Sequence, residues 1–107
     1  MAPSKLAKQT LKVAPQDAVA AHRLAGWYAT GEEGLSQNFE LCVKWEWLAA
    51  ERGCADAQSE VGVAIEKGHM GLQVDHAIAF TWFRKAALQG RALLPKELPP
   101  LFVISSP

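Results

Sequence analysis

Trp45-Glu46-Trp47-Leu48-Ala49-Ala50-Glu51-Arg52-Gly53 and Trp82-Phe83-Arg84-Lys85-Ala86-Ala87-Leu88-Gln89-Gly90 are two versions of one phrase, set 37 residues apart. The same shift lays Gly31 on Gly68, Gly34 on Gly71 and Leu35 on Leu72. It also lays Ala18 and Ala20 on Ala55 and Ala57, with conservative matches of Leu24 to Val61, Asn38 to Asp75 and Leu41 to Ile78. Glycines, tryptophans and alanine pairs that agree at one offset make an internal repeat, and a period of this length belongs to helical arrays.

Each copy reads as two helices. In the first, helix A is expected over about Asp17 to Thr30 and helix B over about Phe39 to Arg52; in the second, over about Ala55 to Lys67 and His76 to Gln89. Leu24, Trp27 and Tyr28, and likewise Val61, Ala64 and Ile65, have the three- and four-residue spacing of a buried helical face. Gly31 and Gly68 stand where helix A must stop, because glycine takes the left-handed conformation there without steric cost. Asn38 and Asp75 stand where a short polar side chain caps the free N–H groups of helix B, and Gly53 and Gly90 follow its end. The alanine pairs allow close helix approach, and Trp45 and Trp82, one turn earlier, are read as core.

The pattern resembles the Sel-one-like repeat, a relative of the tetratricopeptide repeat. The second copy carries the resemblance through Val61-Gly62, Ile65, Gly68, Gly71-Leu72, Asp75, Ala79, Trp82-Phe83 and Ala86-Ala87 with Gly90. The first carries it through Leu24, Tyr28, Gly31, Gly34-Leu35, Trp45 and Ala49-Ala50 with Gly53. Both copies hold one extra residue between the loop glycines; Cys42 replaces the usual alanine, and Leu41 and Ile78 the usual lysine. The disulfides of some relatives have no counterpart at the cysteine positions here. The resemblance implies a right-handed solenoid, an adaptor or scaffold offering a concave helical surface to partners, and no catalytic residue.

The ends lie outside the repeat. The expected organisation is residues 1–16 as an N-terminal helical cap or leader, 17–53 and 54–90 as the two repeats, and 91–107 as a proline-rich apolar tail. Ser4 to Val13 reads either as a degenerate helix B, stopped by Pro15 and wearing Lys5, Lys8 and Lys12 on its outer face, or as a frayed basic leader. The leader is read as uncleaved. Pro95, Pro99 and Pro100 forbid a third regular repeat, so Leu98, Leu101, Phe102, Val103 and Ile104 are candidate partner contacts. Trp47 lies ~200° round helix B from Trp45. With Phe39, Val43 and Ala50 it makes that helix apolar on two faces. The matching face of copy two carries His76, Phe80, Arg84 and Ala87. Val43, Trp47 and Arg84 therefore join the candidate contacts, with packing of Trp47 against the preceding helix or the N-terminal segment as the alternative.

Composition narrows the function class. Half the 107 residues are apolar, and eleven basic residues balance eleven acidic ones, so no global field favours nucleic acid or anionic lipid. The longest apolar run, Leu101 to Ile104, is far below the ~18 residues of a membrane span. Cys42 and Cys54, about 18 Å apart if they share one helix and its end, are expected to be free thiols. That points to a reducing intracellular compartment, the cytoplasm, with a mitochondrion or plastid as the alternative. His22, His69 and His76 have no metal-ligand spacing, and the glycine-rich Gly31 to Gly34 and Gly68 to Gly71 lack a phosphate loop's lysine and hydroxyl. Glu32 and Glu33 read as a solvated turn. No catalytic residue, cofactor or metal is expected.

The expectation is an all-α solenoid of two helix-turn-helix repeats, with an N-terminal helical segment and an irregular C-terminal tail. Its expected work is protein–protein interaction, as adaptor or scaffold or as an accessory subunit of a larger complex. A small enzyme or ligand carrier using the groove between repeats, and a fragment of a longer array, are the alternatives.

Overall fold

The computed structural model describes residues 2–69 and 71–89. Five helices follow in order: α1 (Lys5–Val13), α2 (Ala18–Thr30), α3 (Phe39–Glu51), α4 (Ala55–Lys67) and α5 (His76–Ala87). Each packs against its neighbours in the chain. The described residues form an all-α helical repeat, with α2–α3 and α4–α5 as its two units.

Local chemistry sets the helix ends. Asp17, expected inside α2, is instead its cap, accepting from the N–H groups of Val19 and Ala20 at 3.0 and 3.1 Å. Asn38 and Asp75 cap α3 and α5 in the same way, each accepting at 3.0 Å from the N–H three residues on, of Leu41 and of Ile78. Gly31 and Gly68 close α2 and α4 at φ +80° and +73°, left-handed values that a Cβ would strain. Between the helices the loops repeat bond for bond: the N–H of Asn38 donates to the Tyr28 carbonyl and that of Asp75 to the Ile65 carbonyl. The helix-B units end earlier than expected, at Glu51 and Ala87, and Gly90 lies outside the described residues.

The core is built of small residues. Ala20, Ala21, Ala25, Ala49, Ala50, Ala57, Ala64, Ala79 and Ala86 are all buried, and close helix approach follows from their size. Phe83, Leu24 and Val61 are the largest side chains fully enclosed. Gly62 makes room for Phe83, because a Cβ there would lie 2.8 Å from its Cε1. Trp82 is 9% exposed and belongs to the core, whereas Trp45 is only half-buried at its edge. The two tryptophans expected to be equivalent are therefore unequal.

The N-terminal segment forms a regular helix. Ser4 caps α1 by accepting from Ala7 N–H at 3.0 Å, Ala7 and Thr10 are buried, and Lys5, Lys8 and Lys12 face solvent. Its lead-in also docks on the loop of the first repeat. Ser4 donates through N–H to the Glu33 carbonyl at 2.8 Å and through Oγ to Glu33 Oε1 at 2.7 Å. Gly34, at φ +74°, turns its bare Cα toward Ala2, whose carbonyl a Cβ would strike. The turn read as solvated is thus held by long-range bonds, and Glu33 takes a positive φ of 57° within it.

Candidate functional site

Between α2 and α3 lies a pair of ionisable side chains. His22 Nδ1 is 2.5 Å from Glu46 Oε1, with the histidine side chain 31% exposed and the carboxylate 8% exposed. The hydrogen bond to Glu46 raises the His22 pKa; burial opposes it, and the carboxylates of Glu46, Asp56 and Glu60 add to the rise. Glu46 is itself raised, first by desolvation and against the pull of His22. Cys42, one turn before Glu46, is buried, and desolvation pushes its thiol up, with Glu46 and Glu60 adding to the effect. The repeat makes this pair unusual. The positions matching His22 and Glu46 in the second unit are Ser59 and Phe83, both buried, and the Ser59 hydroxyl has no hydrogen-bond partner among the described residues.

The candidate contact residues divide. Trp47 is half-buried against the core and reaches the following unit. Its ring packs edge-on against Trp82 with centroids 5.6 Å apart, and its Nε1 donates to Glu51 Oε2 at 3.2 Å. Lys85 Nζ sits 4.5 Å from the Trp82 ring centroid, within cation–π range. Val43 is half-buried and Arg84 is exposed. Phe39 is 60% exposed at the start of the stripe it shares with Val43 and Trp47. Ile78, Phe80 and Leu88 expose apolar surface along and just beyond α5, Leu88 to 77%. Leu98, Leu101, Phe102, Val103 and Ile104 lie outside the described residues.

Sequence reading also missed a polar relay between the units. Gln58, buried on α4, donates to the Ala50 carbonyl at 3.1 Å and accepts from Gln89 Nε2 at 2.9 Å. Beside it, an open groove of about 230 Å³ is lined by Val19, Gly53, Cys54, Ala55, Asp56 and Gln89. Its lining offers a carboxylate and a buried thiol but no histidine. Among the described residues no three His, Cys, Asp or Glu side chains are grouped to hold a metal, and no helix is long and apolar enough to cross a membrane.

The Sel1 repeat matches this chain twice in succession, over residues 18–54 and 55–90. The chain belongs to the Sel1 repeat family. A Sel1 repeat protein from Oxalobacter formigenes has a crystal structure similar to it, with a TM-score of 0.73 at 30% identity, over 78% of this chain and 62% of that one. Chitin synthase regulatory factor 3 of Schizosaccharomyces pombe is 42% identical over 76 residues, covering 70% of this chain. The match spans only 8% of that fission-yeast protein's length. Sel1 repeats mediate protein–protein interaction and form a scaffold that is not typically enzymatic.

Proposed function

We propose that this Sel1 repeat chain is a non-enzymatic adaptor or accessory subunit that works by holding another protein in a larger complex. The carrying observation is the exposed apolar surface on and just after α5, the last described helix. Ile78 and Leu88 are exposed on and after α5, and Phe39 is exposed on α3. The proline-broken, apolar stretch Leu98 to Ile104 follows α5 in the chain and is assigned to the same contact. Similarity to part of a protein named a regulatory factor supports an adaptor reading. Two buried, free thiols are consistent with a reducing intracellular compartment.

The test is affinity capture with the whole chain, compared with Ile78→Asp/Leu88→Asp and Phe39→Asp variants whose melting is unchanged. The expected result is a discrete co-purifying protein, lost at least tenfold from the α5 variant. An identical captured set from all three chains would refute the assignment of this surface.

A further inference from the structure

We propose that the His22–Glu46 pair makes the packing of α2 on α3, inside the first repeat, responsive to pH, tight while His22 is protonated and looser once that proton is lost. The geometry places the pair at the seam between α2 and α3, with the Glu46 carboxylate buried there. Glu46 extends from α3, which packs on α2 on one side and α4 on the other, and α3 also carries Trp47 to its contact with Trp82. The carboxylates that act on His22, Glu46 from α3 and Asp56 and Glu60 from α4, all raise it, and the groups near the pair are these acids and the Cys42 thiol of α3, held neutral by burial. The remaining element on α2 is α1, whose buried residues are Ala7 and Thr10 and whose lysines face solvent. Protonated His22 is thus the positive partner of a buried carboxylate next to further acids. Removing one charge from such a pair leaves the other without compensation, the costly direction for a buried ion pair.

The sign follows from linkage. His22 is raised in the folded chain, so its contribution is complete below about pH 6.5. It is lost as pH climbs through the folded value. Glu46 is raised as well, so it too favours the folded state on the acid side, and the two titrate as one coupled system. Stability therefore falls as pH rises from about 6.5 through the folded value of His22. The fall is at most about tenfold in the unfolding constant per pH unit for one proton. The second repeat contains no such group, because Ser59 and Phe83 occupy its matching positions.

The full chain is used for the test. The His22 ring is titrated by NMR, and urea unfolding and amide exchange across α2 and α3 are followed from pH 5.5 to 9. Wild type is compared with Glu46→Gln and with His22→Ser/Ala25→Gly/Glu46→Phe, which writes the second repeat's solution into the first. The expected wild-type result is His22 titrating above 6.5, with the unfolding constant rising several-fold over the same interval. Exchange in α2 and α3 should quicken there beyond the intrinsic base-catalysed rate. Both variants should lose that component. If the triple variant does not fold, the wild-type titration and Glu46→Gln decide. His22 titrating at or below 6.5, or a pH dependence equal in wild type and Glu46→Gln, would overturn the proposal.

Discussion

Replacing Trp82 by alanine tests the packing of the second unit more sharply than any other single change. Trp82 is 9% exposed, and its ring meets Trp47 edge-on. A tryptophan buries roughly 150–250 Å², and at ~25 cal/mol/Å² that is about 4–6 kcal/mol as an upper bound. Measured aromatic-to-alanine losses in cores run about 3–5 kcal/mol. About 4 kcal/mol is therefore expected, of which about 0.5–1.5 kcal/mol is the ring pair. A domain of this size is stable by only about 5–15 kcal/mol, so the variant should retain a small margin or none. Trp45→Ala, at the matching but half-buried position, should cost roughly half as much, in proportion to the area it buries. Urea unfolding followed by circular dichroism separates the two. With a slope near 2 kcal/mol/M, Trp82→Ala should lower the midpoint by about 2 M and Trp45→Ala by about 1 M. A Trp47→Ala background should reduce the Trp82 effect by the ring-pair share. Equal midpoints for Trp45→Ala and Trp82→Ala, or a Trp82→Ala shift below about 0.5 M, would refute the packing described here.

Gly34→Ala should cost roughly 1–2 kcal/mol for the left-handed residue alone, and more through the collision with Ala2; proteolysis near residue 4 should quicken alongside the lower melting temperature. Gln58→Ala should cost about 1–3 kcal/mol, because the Ala50 carbonyl and the Gln89 amide lose their shared partner; Gln89→Ala, which leaves the bond to the Ala50 carbonyl in place, should cost less, and an unchanged melt in Gln58→Ala would refute the relay. Joint replacement of Cys42, Cys54, His69 and His76 by serine or alanine should leave partner affinity within about tenfold of wild type. Stoichiometric metal found in wild type and lost in that variant would contradict this expectation.

The repeat, the glycine stops and the polar caps were legible because each is written within a few residues of chain. Gly31 and Gly68, or Asn38 and Asp75, need only their own loops to be understood. What escaped depends on partners distant in sequence. The loop at Glu33 looks solvated until Ser4 reaches it from 29 residues away. Trp45 and Trp82 look alike until the following unit places Trp47 against Trp82 alone. The His22–Glu46 pair spans 24 residues and shows no motif spacing. A signal for it was nevertheless present: comparing the copies puts a charged residue at 46 where 83 is phenylalanine, and a charge in a phenylalanine's place needs a partner. Helical period groups Phe39, Val43 and Trp47 into one stripe, but period does not say which neighbour covers it.

The positions at which the copies differ, His22, Ala25 and Glu46 against Ser59, Gly62 and Phe83, bear on how the chain avoids mispairing with itself. Tandem copies invite a helix A to take the wrong helix B during folding, within one molecule or between two. Here each wrong match carries a penalty. Phe83 brought against α2 would meet the methyl group of Ala25 where Gly62 leaves space on α4. Glu46 brought against α4 would be buried opposite Ser59, exchanging a histidine for a group that cannot neutralise it. The divergence of the two copies at these sites works as a code for correct assembly, favouring each helix A with its own helix B over that of the other unit.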